Sequence, residues 1–300
     1  MTRTIIVTGA TGKQGGAVVR ALKDTDFQIL AVTRNATSPS AIKLASLSPN
    51  IKALQGDLDD APALFAAARK LTSNPIWGVY SVQAKPLGDP NVEIVQGKGM
   101  IDAAIANRVQ FFVYSSVDRG GAKSSEDPTP VVHWANKYHI EKYLEEKAAG
   151  TQMQYTVLRP TGFFENISND FNGKAMASSW QMTLKDKPMY MVATKDIGWF
   201  AANAFKNPQA NAGRYLSLAG AHFNFAEANA IFKKKMGTDM PTTFSIVAAM
   251  GMHFMKEVGA IFKWLKNKGN DASVEECRRM NPSLMDFGTW LETESQFRKP

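Results

Sequence analysis

IIVTGATGKQGGAVVRAL, residues 5–22, sets an apolar, β-branched run against glycines at 9, 12 and 15, followed by a helix-forming stretch. The first part has the composition of a buried strand, so the glycines occupy a strand-to-helix turn. Gly9 permits the tight turn, Gly12 lets bare main chain approach a ligand, and Gly15 lets the helix pack on the strand. The free amides and positive end of the helix face that ligand, which suits a diphosphate. Glycines at this spacing, between a strand and a helix, are the fingerprint of a dinucleotide crossover. A P-loop would require Ser or Thr after the lysine, and Lys13 is followed by Gln14.

Strand-like runs recur through the first half at Thr4–Thr8, Gln28–Thr33, Lys52–Gln55, Trp77–Val82, Phe111–Ser115 and Tyr155–Leu158. Helix candidates at residues 14–24, 39–48, 60–71, 92–107 and 131–148 separate them. Parallel strands need long return connections, so the alternation predicts an α/β, doubly wound parallel Rossmann sheet. Apolar runs rather than alternating ones indicate a sheet covered on both faces. Beyond Pro160 the pattern is irregular, which predicts a Rossmann domain over residues 1–158 and a smaller α/β C-terminal substrate or cap domain over 159–300. Arg214–Leu218 is a strand that can return to the main sheet.

The end of the second strand selects the dinucleotide. A carboxylate there holds a ribose 2′-hydroxyl, whereas an arginine accommodates a 2′-phosphate. The sequence reads "ILAVTRNATS", with Thr33–Arg34 and no acid, and a guanidinium matches a phosphate bidentately. NADP(H) is therefore expected over NAD(H), with Arg34 on the 2′-phosphate and Lys13 as a second positive charge. Asp57, in "QGDLDD", lies where adenine recognition occurs; helix capping by Asp59 or Asp60 is the other reading of this acidic cluster.

In "PTPVVHWANKYHIEKYLEEK", His133, Lys137, Ile140 and Leu144 form one helical stripe, while Glu141, Lys142, Glu145 and Glu146 lie mostly on other faces and read as solvated. An inward lysine is costly unless its ammonium meets water, a hydroxyl or an anion, so Lys137 is expected beside a bound cofactor ribose, with snorkelling to solvent as the alternative. His133 is a candidate proton carrier or a histidine bonded to backbone. Ser115 and Ser116, at the end of the fifth strand, suit nicotinamide or substrate contact, or a plain strand-end cap. The four histidines and the single cysteine show no metal-ligand spacing, so no metal is expected.

Bulk properties narrow the class. Length 300 with 44% apolar residues supports a large core, and a lone Cys277 with a start lacking a signal-peptide pattern suits a reducing, cytoplasmic setting. The oily stretch Phe244–Leu265 is interrupted by His253, Lys256, Glu257 and Lys263, so it reads as a Met-rich soluble helix rather than a membrane span. Net charge +8 favours anionic partners, but only "FKKKMG", residues 232–237, is dense, and a solvated helix face explains it better than a nucleic-acid patch.

Taken together, "VTGATGKQGG", "VTRN", "QGDLDD", "VYSSV", "HWANK…IEKYL", "LRPTGFFENI" and "NPSLMDFGTWL" resemble the NmrA-like family, an atypical branch of the short-chain dehydrogenase/reductase superfamily, from end to end. The resemblance implies an NADP(H)-binding Rossmann domain, a smaller carboxyl-terminal domain and a cleft between them. It implies that Gly9, Thr11, Gly12, Lys13, Gln14 and Gly15 hold the phosphates, Arg34 the 2′-phosphate, and that Lys137 is the superfamily's lysine. Phe163 and Asn166, in "PTGFFEN", fall in the segment that passes the nicotinamide end.

The departure is His133-x-x-x-Lys137 where the superfamily's catalysts carry Tyr-x-x-x-Lys. Two functions fit. One is an NADPH-dependent oxidoreductase for a hydrophobic carbonyl, quinone or enone, with Lys137 orienting the ribose, His133 or Ser115 assisting proton transfer, and Phe163, Phe164, Trp180, Met250, Met252 and Phe254 as candidate pocket residues, for which ordinary core packing is the other and commoner reading. The other is a non-catalytic NADP(H) sensor that regulates a partner protein. Neither calls for nucleic acid or membrane, and a homodimer is compatible with both.

Overall fold

Carbonyls at the end of the first strand decide how closely the first helix approaches, and everything downstream is threaded from that crossover. The computed structural model describes residues 2–83, 88–243 and 256–297. Strands β1 (Thr4–Val7), β2 (Gln28–Thr33), β3 (Ile51–Gln55), β4 (Ile76–Ser81), β5 (Phe111–Ser115), β6 (Gln154–Pro160), β7 (Gly162–Phe163), β8 (Met189–Val192), β9 (Arg214–Leu218) and β10 (Ala221–Phe223) form two sheets. The larger has the order β3-β2-β1-β4-β5-β6-β9, and its pairings from β3 through β6 are parallel. The smaller has the order β10-β8-β7. Arg214–Leu218 thus does return to the main sheet, beside β6.

The helices are α1 (Lys13–Leu22), α2 (Pro39–Ala45), α3 (Ala61–Leu71), α4 (Val92–Ala106), α5 (Val132–Ala148), α6 (Phe171–Leu184), α7 (Thr194–Lys206), α8 (Pro208–Asn211), α9 (Phe225–Met236), α10 (Lys256–Asn267), α11 (Val274–Met280) and α12 (Phe287–Thr293). Their starts follow local chemistry. Ser38 caps α2 before Pro39, Asp60 caps α3 through the Ala63 amide, and Asn224 with Glu227 closes a capping box on α9. Residues 244–255 of the expected Met-rich helix, with Met250, Met252, His253 and Phe254, lie outside the described residues; Lys256–Asn267 is helical. No helix among the described residues is long and apolar enough to cross a membrane.

The chain divides into two compact units, the first made of Met1–Ser116, Asn136–Arg159 and Ile197–Leu216, the second of Val117–Ala135, Pro160–Asp196 and Ser217–Pro300. In the first, Ile6, Leu30, Val79, Phe112 and Val157 from the strands meet Leu64, Ile101, Ile140 and Leu144 from α3, α4 and α5. The α4–α5 approach depends on Gly97, where a β-carbon would sit 2.5 Å from Ile140 Cδ1.

In the second unit Phe164, Trp180, Phe223, Phe225, Phe287 and Trp290 build an aromatic core. Phe164 and Trp180, candidates for a ligand pocket on composition, are buried within it. Buried acids bind its separate segments. Asp118 accepts from the amides of Gly120, Gly121 and Asp271, from Ser217 Oγ and from Asn270 Nδ2. Asp196 accepts from Asn281 Nδ2 and the Met285 amide, both at 3.1 Å, and burial pushes its pKa up to about 6.

A folded-state pKa above the ordinary carboxyl value means that the native state binds the extra proton, so this group adds stability as pH falls through about 6. His222, whose pKa burial lowers, works the opposite way below its ordinary value, so the comparison must isolate Asp196. The stability difference between wild type and Asp196→Asn is expected to grow in favour of wild type by about 1 kcal/mol from pH 7.5 to pH 5, read by denaturant titration.

Candidate functional site

The glycine turn follows the carboxyl end of β1, and the sheet order reverses between β1 and β4, which is where doubly wound folds bind ligands. Gly9 has φ +59°, a left-handed conformation that favours glycine. A β-carbon on Gly15 would lie 2.4 Å from the carbonyl oxygens of both Thr8 and Gly9, so α1 can pack there only without one. On Gly12 it would lie 3.2 Å from Gly9 O. The first turn of α1 carries no acid, and Gly12 supplies no side-chain cap to it. Thr11, Gly12 and Lys13 are exposed at this end.

Beneath the turn, Ser115 at the end of β5 donates from Oγ to Gln14 Oε1 at 2.7 Å, and the Tyr80 hydroxyl approaches the same oxygen at 3.4 Å. Two donors on the oxygen leave the Gln14 amide nitrogen as the outward group. Burial raises the Tyr80 pKa, so its phenol stays protonated. At the end of β4, Gln83 is buried; its Nε2 donates to Ser81 Oγ, while Oε1 has no hydrogen-bond partner among the described residues. A helix start without a side-chain cap and a turn that excludes a Cβ fit a nucleotide diphosphate, while the orphaned Gln83 oxygen suits a hydroxyl or amide donor rather than a phosphate.

Arg34, just past β2, is exposed and makes no ion pair or hydrogen bond among the described residues. Nearby loop groups are engaged elsewhere, the Ala36 amide donating to Gln55 Oε1 and the Thr37 amide to Asn35 Oδ1. Asp57 is exposed and accepts from the Asp59 amide, capping the short turn Leu58–Asp60.

Lys137 projects from α5 into a buried position. Its Nζ donates to Ser115 O at 3.1 Å and lies 3.2 Å from Glu93 Oε1 in the first turn of α4. Lys137, Ser115 and Gln14 are therefore linked in one chain of contacts. A buried ammonium needs a counter-ion, and the sequence reading did not identify Glu93 as that partner. Glu141, expected on a solvated face, is instead 1% exposed. It takes a charge-assisted bond from Arg159 Nη2 at 2.6 Å and a short one from Ser116 Oγ, so Ser116 is committed to α5. Its burial follows from the position of β6, which helical spacing alone does not reveal.

His133 is half-buried one turn before Lys137, and its amide donates to Glu257 Oε1 at 3.0 Å. Phe163 is half-buried in β7, and Asn166 ends the single turn Phe164–Asn166. These three residues belong to the second unit, apart from the Gln14–Ser115–Lys137 chain of the first.

Sheet order, glycine turn and helix placement define a Rossmann-type α/β protein. The chain matches the NmrA-like family over residues 1–291, and it belongs to that family. Among relatives, the NmrA-like family domain-containing oxidoreductase hkm9 of Aspergillus hancockii is 37% identical over 122 residues, covering 38% of this chain but only 34% of that protein. Among solved structures, the NADPH-dependent quinone oxidoreductase QOR2 of Escherichia coli, complexed with NADPH, has a TM-score of 0.72 at 19% identity, covering 96% of this chain and 97% of that one. NmrA, a negative transcriptional regulator, in complex with NADP, has a TM-score of 0.70 at 17% identity, covering 96% and 93%.

The buried pair makes a stability prediction. Lys137→Met strands the Glu93 carboxylate and is expected to cost roughly 3–5 kcal/mol, whereas Lys137→Met with Glu93→Leu removes both charges and recovers most of that loss. Calorimetric unfolding of the wild type, both single variants and the double variant checks this.

Proposed function

We propose that the protein is an NADP(H)-dependent oxidoreductase acting on a hydrophobic carbonyl, quinone or enone compound. The observation that carries this reading is the glycine turn opening α1, where the cap residue offers no side chain, together with a guanidinium at the end of β2 that makes no ion pair among the described residues. The turn and the α1 amides hold the diphosphate, with Thr11 and Lys13 beside it, and Arg34 takes the 2′-phosphate. Asp57 stands at the adenosine end. Cofactor-complexed neighbours on the same fold and relatives named as oxidoreductases support the assignment.

When bound, the reduced nicotinamide supplies a hydride to the substrate. Gln14, its amide oxygen occupied by Ser115 and Tyr80, presents N–H donors to the cofactor. Lys137 is ion-paired with Glu93 and donates to Ser115 O, and a further N–H serves a ribose hydroxyl. His133 supplies the proton that accompanies the hydride, and Phe163 and Asn166 border the nicotinamide end. Quinone reduction suits this set, because an electron-poor acceptor needs less help from a strong acid than an isolated carbonyl.

A second reading is a sensor of the NADP(H) redox state that acts on a partner protein. Histidine in place of the superfamily's tyrosine favours it, since protonation of a carbonyl oxygen loses its usual donor.

Arg34→Ala is expected to weaken NADP⁺ binding ten- to a hundredfold and leave NAD⁺ within about twofold, from loss of one charge-assisted phosphate contact. Titration calorimetry with both nucleotides measures this, and equal effects on both would overturn the 2′-phosphate role. Steady NADPH oxidation with a panel of quinones and enones separates the two readings: turnover supports the enzyme, and tight cofactor binding without turnover supports the sensor.

A further inference from the structure

At the opposite edge of the first unit's sheet, the amino ends of the strands carry an open cleft of about 380 Å³ lined by Gln28, Lys52, Arg69 and Lys70 with Leu71, Thr72, Ser73 and Asn74. Gln28 begins β2, Lys52 lies near the start of β3, and Thr72–Asn74 lead into β4, whereas the glycine turn follows the carboxyl end of β1. The two places therefore lie at opposite ends of the same strands. We propose that this cleft binds a small phosphate-bearing anion, independently of the nucleotide turn.

Three observations carry the proposal. None of the lining residues is acidic, and three are cations. Among the described residues Arg69 and Lys70 form no ion pair or hydrogen bond, and Lys52 only donates to the Leu71 carbonyl at 2.9 Å, which holds its ammonium at the last turn of α3 with two N–H bonds to spare. Three cations gathered in a concavity without a counter-charge repel one another, and a bound anion removes that cost.

The second observation is the Gln28 amide. Its Oε1 receives Thr4 Oγ1 at 3.2 Å, Asn74 Nδ2 at 3.2 Å and a short bond from Thr72 Oγ1. With the oxygen saturated, the amide nitrogen is the group left to serve as donor at the cleft. Third, the segment that forms one wall is held in place before any ligand arrives: the Asn74 amide donates to Thr72 Oγ1 at 3.0 Å, and the same two side chains are tied to Gln28. An open, donor-rich cleft of this volume accommodates a phosphate ester or diphosphate, whereas an extended polyanion would need basic residues continuing beyond it. The charge at α3's end has an ordinary local role, since cations complement the carbonyl end of a helix. That role needs neither a concavity nor the oriented amide.

Inorganic pyrophosphate, titrated by calorimetry into protein held in excess NADP⁺ at low salt, tests the proposal. One binding event is expected, weakened at least tenfold by the double variant Arg69→Gln/Lys70→Gln and changed less than twofold by Lys233→Gln/Lys234→Gln, which removes the same net charge from the exposed basic run of α9. The idea is overturned by absence of binding, by equal loss in the two double variants, which would indicate general charge attraction, or by binding that Arg69→Gln/Lys70→Gln leaves intact. NADP⁺ affinity is measured separately in each variant, so failure of the cofactor assignment and failure of the cleft give different results.

Discussion

Two carbonyl oxygens, those of Thr8 and Gly9, stand 2.4 Å from where a side chain on Gly15 would begin. That distance sets how α1 leaves β1, and the rest of the first unit is organised around it. Because the helix sits so close, its leading amides crowd over the end of the strand, and Gln14 comes within reach of Ser115 and Tyr80 on neighbouring strands. Thr8 adds a second tie, its hydroxyl donating to Val82 O and accepting from the Val82 amide, so that the ends of β1 and β4 are held together where the sheet order reverses. The edge proposed to hold a diphosphate is thus a by-product of packing.

Around that edge the molecule places charge in its interior and compensates it locally. Lys137 is matched by Glu93, and Glu141 by Arg159 and Ser116, so both buried charges of α5 are neutralised by side chains from other elements. Arg159 also stacks over the Tyr215 ring, which ties β6 to β9 through the same guanidinium. Such pairs add little net stability compared with apolar substitutes, but they are intolerant of losing one partner. They serve register: α5 can sit against α4 and β6 in only one rotation if both charges are to be met. In the second unit Asp118 does comparable work with five neutral donors, gathering the loop after β5, the end of β9 and the segment after α10.

The parallel sheet, the crossover helices and the glycine turn between strand and helix were legible in the chain because each depends on local order. Apolar runs of strand length, helical stretches between them and glycines at fixed offsets are properties of neighbours in sequence, and the return of Arg214–Leu218 to the main sheet was within the expected range. The position of Arg34 just past β2 was legible for the same reason. The caps at Ser38, Asp60 and Asn224 likewise act over three residues.

Helical spacing put Lys137 on the inward side, but only the folded chain determined the other buried charges and their partners. Glu141 reads as one of several acids on a solvated helix and is buried because β6 brings Arg159 against it; Glu93 looks like an ordinary first-turn acid and is the counter-ion of Lys137. Gln28, saturated on its oxygen by Thr4, Thr72 and Asn74, draws on residues up to 46 positions away. Sequence periodicity reports which face of an element is apolar, whereas burial of a charge depends on a partner contributed by a different element, and that pairing exists only once the strands have taken their order.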